Sequence, residues 1–454
     1  MRRVLLAAVV IAASAAVAAG SAVAFQPGDP LASKQWYLDA DRAFDAWEAL
    51  PALAPVRVAV IDSGIDLGHP EFRGRIAAAR SFVGGTVQDT EGHGTFVAGE
   101  IAAALDNGRG IAGIAFPARL VVAKVLRKDG TIEPDEEARA IRWALARGAR
   151  VINLSIGGIR DPLDGAVDTF SPAERDAIAD AVRAGALVVS SVGNGDLAPR
   201  EPWLYASYPA ALPHVLGVAA YARDGSIPAF SNRDPRYTDV AAPGTEILST
   251  IPRTLSRRGC ADRGYSACGS ATLREGGGTS FAAPQVTAAA ALLFAVDPRL
   301  RAEQVAAILE RSAADLGPRG RDSQTGWGRL DVAAAIAALD GPLPPADARE
   351  PNDAIGAGAA VLNGRSVDLH ATLDRWDDPF DAYRVRVARG EWLYAGVTGL
   401  RGAQLSLWQP GRRLRSPAER LLYRAPATGW YDLKVFLSRP ASGRYRLSVR
   451  RSSG

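Results

Sequence analysis

The sequence predicts an α/β fold, a doubly wound and mostly parallel sheet, followed by a small all-β sandwich domain. Three observations carry this. From Arg57 to about Leu339, short β-branched runs apolar on both faces alternate with amphipathic helical patterns, the signature of a parallel sheet covered on both sides. The stretch Asp340-Gly341-Pro342-Leu343-Pro344-Pro345 then breaks the helical pattern and reads as a linker. Beyond it, runs such as Ala382–Val387 and Gly443–Val449 alternate with period two, as half-buried antiparallel strands do.

Taken in order, the chain divides into residues 1–24, 25–340, a linker at 341–348 and a β-module at 349–454. The first segment joins the basic Met1-Arg2-Arg3 to an Ala-rich apolar run and ends in Ala22-Val23-Ala24, the layout of a cleaved secretory signal. An uncleaved anchor is the competing reading of the same run. No later stretch reads as a transmembrane helix, so the expected product is secreted or periplasmic, with no stable membrane insertion after cleavage. Strands are expected at Arg57–Ile61, Leu120–Val125, Val151–Ser155, Leu187–Ser191 and Val215–Ala219. Helices are expected at His93–Leu105, Asp135–Ala146, Pro172–Ala184 and Ser280–Ala295.

At 454 residues the chain has room for two or three domains. A composition of 48% hydrophobic and 22% charged residues is that of a globular protein rather than a disordered one. The 53 basic and 49 acidic residues leave a dispersed net charge of +4, which argues against a nucleic-acid partner. Cys260 and Cys268 lie close together in a polar stretch. In an oxidising compartment they are expected to form a disulfide, contributing about 2–3 kcal/mol by loop closure.

Sites in doubly wound folds form beyond the carboxyl ends of the strands. Val58–Ile61 ends in Asp62-Ser63-Gly64, a carboxylate poised at a strand end. Gly92-His93-Gly94-Thr95-Phe96 sets a histidine between glycines at a helix start, where other backbone can approach the ring. Gly278-Thr279-Ser280-Phe281 opens a long apolar helix, placing Ser280 where the helix dipole favours developing negative charge. Each has a bland reading alone: a common strand-end acid, a packed histidine, a helix cap. Together they give Asp62, His93 and Ser280 in the chain order Asp…His…Ser, one of the recurrent orders of the serine triad.

With those motifs in hand, VAVIDSG, GHGTFVAG and GTSFAAPQV, the segment from about Pro27 to Leu339 resembles the subtilisin-like serine proteases. The opening Pro27–Pro30 and Gln35-Trp36 look most like the thermitase-type branch. The resemblance implies a serine endopeptidase acting on polypeptides as a monomer. It implies Asn194, in Val192-Gly193-Asn194-Gly195, as an oxyanion donor beside the Ser280 backbone N–H. It implies Leu154, Ser155, Ile156 and Gly157 as the strand that pairs with extended substrate. The acids of Thr131–Glu137 lie where the family builds its distal subsites. They read either as a wall favouring basic substrate side chains or as an acid-rich helix start.

The sequence also departs from the family pattern. Phe96 replaces the usual second histidine of the His motif, and Phe281 the usual methionine after the nucleophile. The catalytic segment begins almost directly after the signal, so folding is expected either without a propeptide or with a substitute for it. Arg253–Gly277 looks like an insertion and is expected to border the primed side of the cleft. No cofactor is needed for the chemistry. A structural calcium is left open: Asp29 matches one expected ligand, Glu71 replaces an aspartate, and the loop Leu105–Gly110 looks about one residue short. The tail opening Glu350-Pro351-Asn352-Asp353, with Asp381-x-Tyr383 and a Gly-x-Tyr ending, resembles the bacterial pre-peptidase C-terminal domain. A reading from another class is a catalytically silent subtilase fold that displays this module as a binding protein.

Overall fold

The computed structural model describes residues 25–452 apart from 49, 51, 52, 196, 197, 271, 377 and 410. The expected signal segment, 1–24, lies outside the described residues. Seven parallel strands form the central sheet: β1 (Val56–Asp62), β2 (Ile76–Ser81), β3 (Ala118–Lys124), β4 (Val151–Leu154), β5 (Leu187–Ser191), β6 (Val215–Tyr221) and β7 (Val240–Pro243). Their spatial order is β2-β3-β1-β4-β5-β6-β7. The chain leaves β1 toward β2 and β3 on one side, then crosses to β4 on the other. The carboxyl ends of β1 and β4 therefore flank the topological switch point, where such sheets open a crevice.

The alternation of side chains explains why these runs are strands buried on both faces. In β1, Val58 and Val60 face a core shared with the helices His93–Ala102 and Thr279–Val296. Ala59 and Ile61 face a second core under Pro134–Ala146 and Pro172–Arg183. The Thr279–Val296 helix corrects one expectation. It is long and apolar enough to cross a membrane, yet 89% of it is buried within the protein. Its apolarity serves a core helix surrounded by protein. A short hairpin, β8 (Ile247–Thr250) with β9 (Leu273–Gly276), leads into that helix.

The C-terminal region packs two sheets face to face, antiparallel except where Ala360–Val361 pairs with Phe380–Val387. One holds β10 (Ala360–Val361), β12 (Phe380–Val387), β17 (Gly429–Leu437), β14 (Ala403–Gln409) and β15 (Arg412–Ala418). The other holds β11 (Ser366–Asp374), β18 (Ser442–Ser452), β13 (Trp392–Thr398) and β16 (Arg420–Arg424). Inward Leu, Val and Tyr side chains form a separate core between them. The segment read as a linker is held at both ends. The Pro344 carbonyl accepts from Gln304 Nε2 at 2.8 Å, and the buried Asp347 accepts from Thr372 N at 2.8 Å. Arg321 stacks its guanidinium 4.3 Å from the Trp376 ring, tying the sandwich to the sheet domain.

Candidate active site

Asp62 is the last residue of β1 and is 1% exposed. Its Oδ1 accepts from the Ser63 N–H at 2.6 Å and from His93 Nδ1 at 2.8 Å, with Oδ2 3.0 Å from the same nitrogen. This fixes which ring nitrogen carries the proton and leaves Nε2 as the base. Burial alone would depress the imidazole. The Asp62 carboxylate outweighs it and, with Asp89 behind, holds His93 above its ordinary value.

The glycines around His93 serve close approach. A Cβ on Gly94 would sit 2.3 Å from the Gly64 carbonyl and 3.1 Å from Asp62 Cβ. Gly92 has φ +102°, a left-handed conformation that other residues resist. Asp89 is the residue that sequence reasoning missed. It is fully buried and accepts from the Glu91, Gly92 and Thr95 N–H groups and from the Ser63 and Thr95 hydroxyls. It thereby caps the His93 helix and ties it to the turn after β1. Its signal was an Asx residue just ahead of the glycine-flanked helix start.

Ser280 is the second residue of the Thr279–Val296 helix. Pro284, four residues on, has no N–H to give back, so the Ser280 carbonyl is freed from the helix ladder. The Ser155 hydroxyl donates to it at 2.8 Å, and Asn153 Nδ2 in turn donates to Ser155 at 2.9 Å. The end of β4 is thus pinned to Ser280. Among the described hydrogen bonds none joins Ser280 Oγ to His93, a contact that is often loose until substrate arrives.

Asn194 follows β5. Its Oδ1 accepts from both the N–H and the hydroxyl of Thr279, each at 3.0 Å. With that oxygen committed, the amide nitrogen is the end left to face a substrate. Asn194 and Ser280 line one cavity of about 150 Å³ together with Ser155, Gly157, Ile159 and Trp203. No described lining residue is charged. Leu154 is buried and paired within the sheet, whereas Ile156 is partly open and Gly157 exposed, so the free edge lies at Ile156–Gly157.

The acids of Thr131–Glu137 are largely committed. Arg127 pairs with Glu133 at 3.2 Å and Glu136 at 2.9 Å, and Glu137 is buried at the helix start. This favours the helix-start reading over an acidic wall. Cys260 and Cys268 are bonded to each other, with Cys260 buried on the short helix Arg257–Asp262 rather than in an open loop.

The residues first considered for calcium are engaged with the neighbouring loop. Asp29 already accepts from the Asp106 and Asn107 N–H groups at 2.7 and 2.9 Å, and Asn107 Nδ2 donates directly to Glu71 at 2.8 Å. Burial pushes the Glu71 carboxyl up to about 7. A better donor set lies where the two domains meet. Single ligand atoms of Asp347, Glu350 and Asp381 fall within 4.8 Å of one another, as do those of His214, Glu350 and Asp353. Glu350 Oε1, Asp381 Oδ1 and both side-chain polar atoms of Asn352 are buried without a partner. Such groups call for a ligand.

Set beside known proteins, residues 54–328 match the subtilase family. The chain is 33% identical to fervidolysin of Fervidobacterium pennivorans over 337 residues, covering 70% of this chain and 45% of that protein. It is 33% identical to subtilisin DY of Bacillus licheniformis, covering 58% of this chain and 85% of that protein. The chain thus spans less than half the length of the first of these. A solved structure titled as a lanthipeptide protease superposes with a TM-score of 0.58 at 25% identity, over 70% of this chain and all of that one.

Proposed function

The chain belongs to the subtilase family, and from that premise we propose that it is an exported serine endopeptidase. One observation supports the proposal above others: the Asp62–His93 pair stands at the end of β1, the His93 ring lies 5.4 Å from that of Phe281, the residue after Ser280, and Ser280 shares a cavity with the oriented Asn194. Ser280 Oγ attacks the scissile carbonyl while His93 Nε2 takes its proton and later passes it to the leaving amine. Asp62 holds the tautomer and stabilises the imidazolium. The tetrahedral oxyanion is met by Asn194 Nδ2 and the Ser280 N–H, at a helix N-terminus whose dipole adds to both. A water, activated by the same His93, then hydrolyses the acyl-enzyme. Substrate lies extended along the open edge at Ile156–Gly157, read through its backbone. Export rests on the 1–24 segment.

The cavity beside Ser280, with no charged residue among its described lining, is the pocket for the side chain preceding the scissile bond. In a peptide library varied at that position, apolar residues are expected to be cleaved at least about tenfold faster than Lys, Arg, Asp or Glu, since a charge there would lose its hydration unpaired. Equal cleavage of charged and apolar residues would contradict this assignment.

A structural divalent cation belongs to the oxygen-rich cluster of Asp347, Glu350, Asn352 and Asp381, a donor set of calcium type. It would contribute no chemistry at Ser280. It would neutralise buried carboxylates that burial and mutual repulsion hold well above their usual range at Asp381. Calcium added to the chelator-treated full chain is expected to raise the melting temperature, and Glu350→Gln to remove that rise. A rise that survives in Glu350→Gln places the ion elsewhere.

A further inference from the structure

Behind the catalytic imidazole stands a stack of aromatic rings that the reaction itself does not use. The Phe281 ring lies 5.4 Å from that of His93. Phe96, fully buried on the His93 helix, lies 4.2 Å from Phe281. Tyr265 stacks on Phe96 at 5.5 Å with 22° between the planes, and is 8% exposed. Tyr265 belongs to the segment that reads as an insertion, whereas Phe96 and Phe281 are two departures from the family pattern. Three of the departures from the family pattern therefore meet at one place.

The surroundings are shaped for that ring. A Cβ on Gly276 would come within 2.8 Å of Phe281 Cε2 and 3.3 Å of Tyr265 Cδ1. One on Gly92 would come within 2.7 Å of Ile251 Cδ1 and 3.4 Å of Tyr265 Cε2. The segment itself is tied down on all sides. The Cys260–Cys268 disulfide closes around Tyr265. Arg263 pairs with Glu91, two residues before His93, at 2.7 Å. Arg253 grips Asp66, just beyond β1, through two bonds of 2.8 and 3.0 Å. Both clamps land on the segments that carry His93 and Asp62.

We propose that the disulfide-closed segment 260–268 is a positioning element for the catalytic histidine, acting through Tyr265, whose ring backs Phe96 and Phe281 and so sets the tilt of the His93 imidazole. The inference rests on the serine-protease reading of the site. Its physical basis is that the described hydrogen bonds of the imidazole all run from Nδ1 to Asp62. They fix one edge of the ring and leave its tilt about that edge to packing. Errors in such placement are costly, since a displacement of about 1 Å can cost roughly 100-fold in rate. Stacked and tilted rings constrain tilt well because their contact is directional.

The test uses the full chain with a peptide substrate. Tyr265→Ala is expected to lower kcat by about tenfold or more with little change in KM, and to broaden or shift the low-field Nδ1 proton resonance of His93. Tyr265→Phe keeps the ring and is expected to restore both. Should Tyr265→Ala fail to fold, Arg263→Gln, which loosens the outer clamp and leaves the stack in place, is expected to lower kcat in the same sense and less. A folded Tyr265→Ala with wild-type kcat and resonance would overturn the proposal. So would a Tyr265→Phe as impaired as the alanine variant, or, where the alanine variant does not fold, an unaffected Arg263→Gln. A wild-type protein that hydrolyses no peptide would instead overturn the serine-protease reading, so the two failures are distinguishable.

Discussion

Ser280→Ala is expected to lower peptide hydrolysis by about six orders of magnitude in kcat, the loss known for the nucleophile of subtilisin itself, with KM little changed. The mechanism is loss of the only atom that forms the acyl-enzyme. The fold should survive, because the Ser280 hydroxyl carries no described hydrogen bond. The bond that pins Ser155 goes to the Ser280 carbonyl, which alanine keeps. Alanine also suits the second position of a helix. His93→Ala should cost about as much, and the double variant little more, since the triad acts as a unit. Measuring kcat and KM with one chromogenic peptide across the three variants checks this. Losses that add would mean the two side chains act independently.

Asn194→Leu is expected to lower kcat by roughly 100–1000-fold, about 3–4 kcal/mol, as when subtilisin loses its oxyanion-hole asparagine. Here the structure adds a second effect. Asn194 Oδ1 also serves the N–H and hydroxyl of Thr279 at the start of the nucleophile's helix. Leucine removes both roles and should lower the melting temperature as well, because it strands those donors. Asn194→Asp separates the roles. It keeps an acceptor for Thr279, and so keeps stability, but removes the donor and sets a negative charge against the oxyanion. Its kcat should fall at least as far as that of the leucine variant. An aspartate variant with near wild-type kcat would show that Asn194 acts through helix placement alone.

Much of the sheet was legible because β1, β3, β4, β5 and β6 are β-branched runs buried on both faces. β2 escaped notice because Ile76–Ser81 is an alanine-rich edge strand of mixed burial, without a hydrophobic run. The Ala302–Ser312 helix was also passed over, although Val305, Ile308 and Leu309 mark its buried face at helical spacing. The His93 helix stops at Ala102 rather than Leu105, since Ala103 turns extended there and pairs with Gly113.

The candidate residues Asp62, His93 and Ser280 could be singled out because each sits in a short motif with its own signature. What could not be read is what lies between motifs. The seating of the Ser280 carbonyl joins Pro284, four residues on, to Ser155, 125 residues back. The cation cluster joins Asp347 and Glu350, at the end of the linker, to Asp381 on β12. The aromatic stack joins Tyr265 to Phe96 across 169 residues, a pairing that no local pattern announces. Asp29 matched one ligand of an expected ion site and Glu71 replaced another, and both accept from the loop that was read as one residue short.

The most direct test of an assembled triad is labelling of the purified, folded protein with a serine-reactive fluorophosphonate, with the modified peptide located by mass spectrometry. A single adduct on Ser280 is expected, lost in Ser280→Ala and in His93→Ala. A folded wild-type protein that takes no label, or one labelled equally after either substitution, would contradict it and favour a subtilase fold kept for binding.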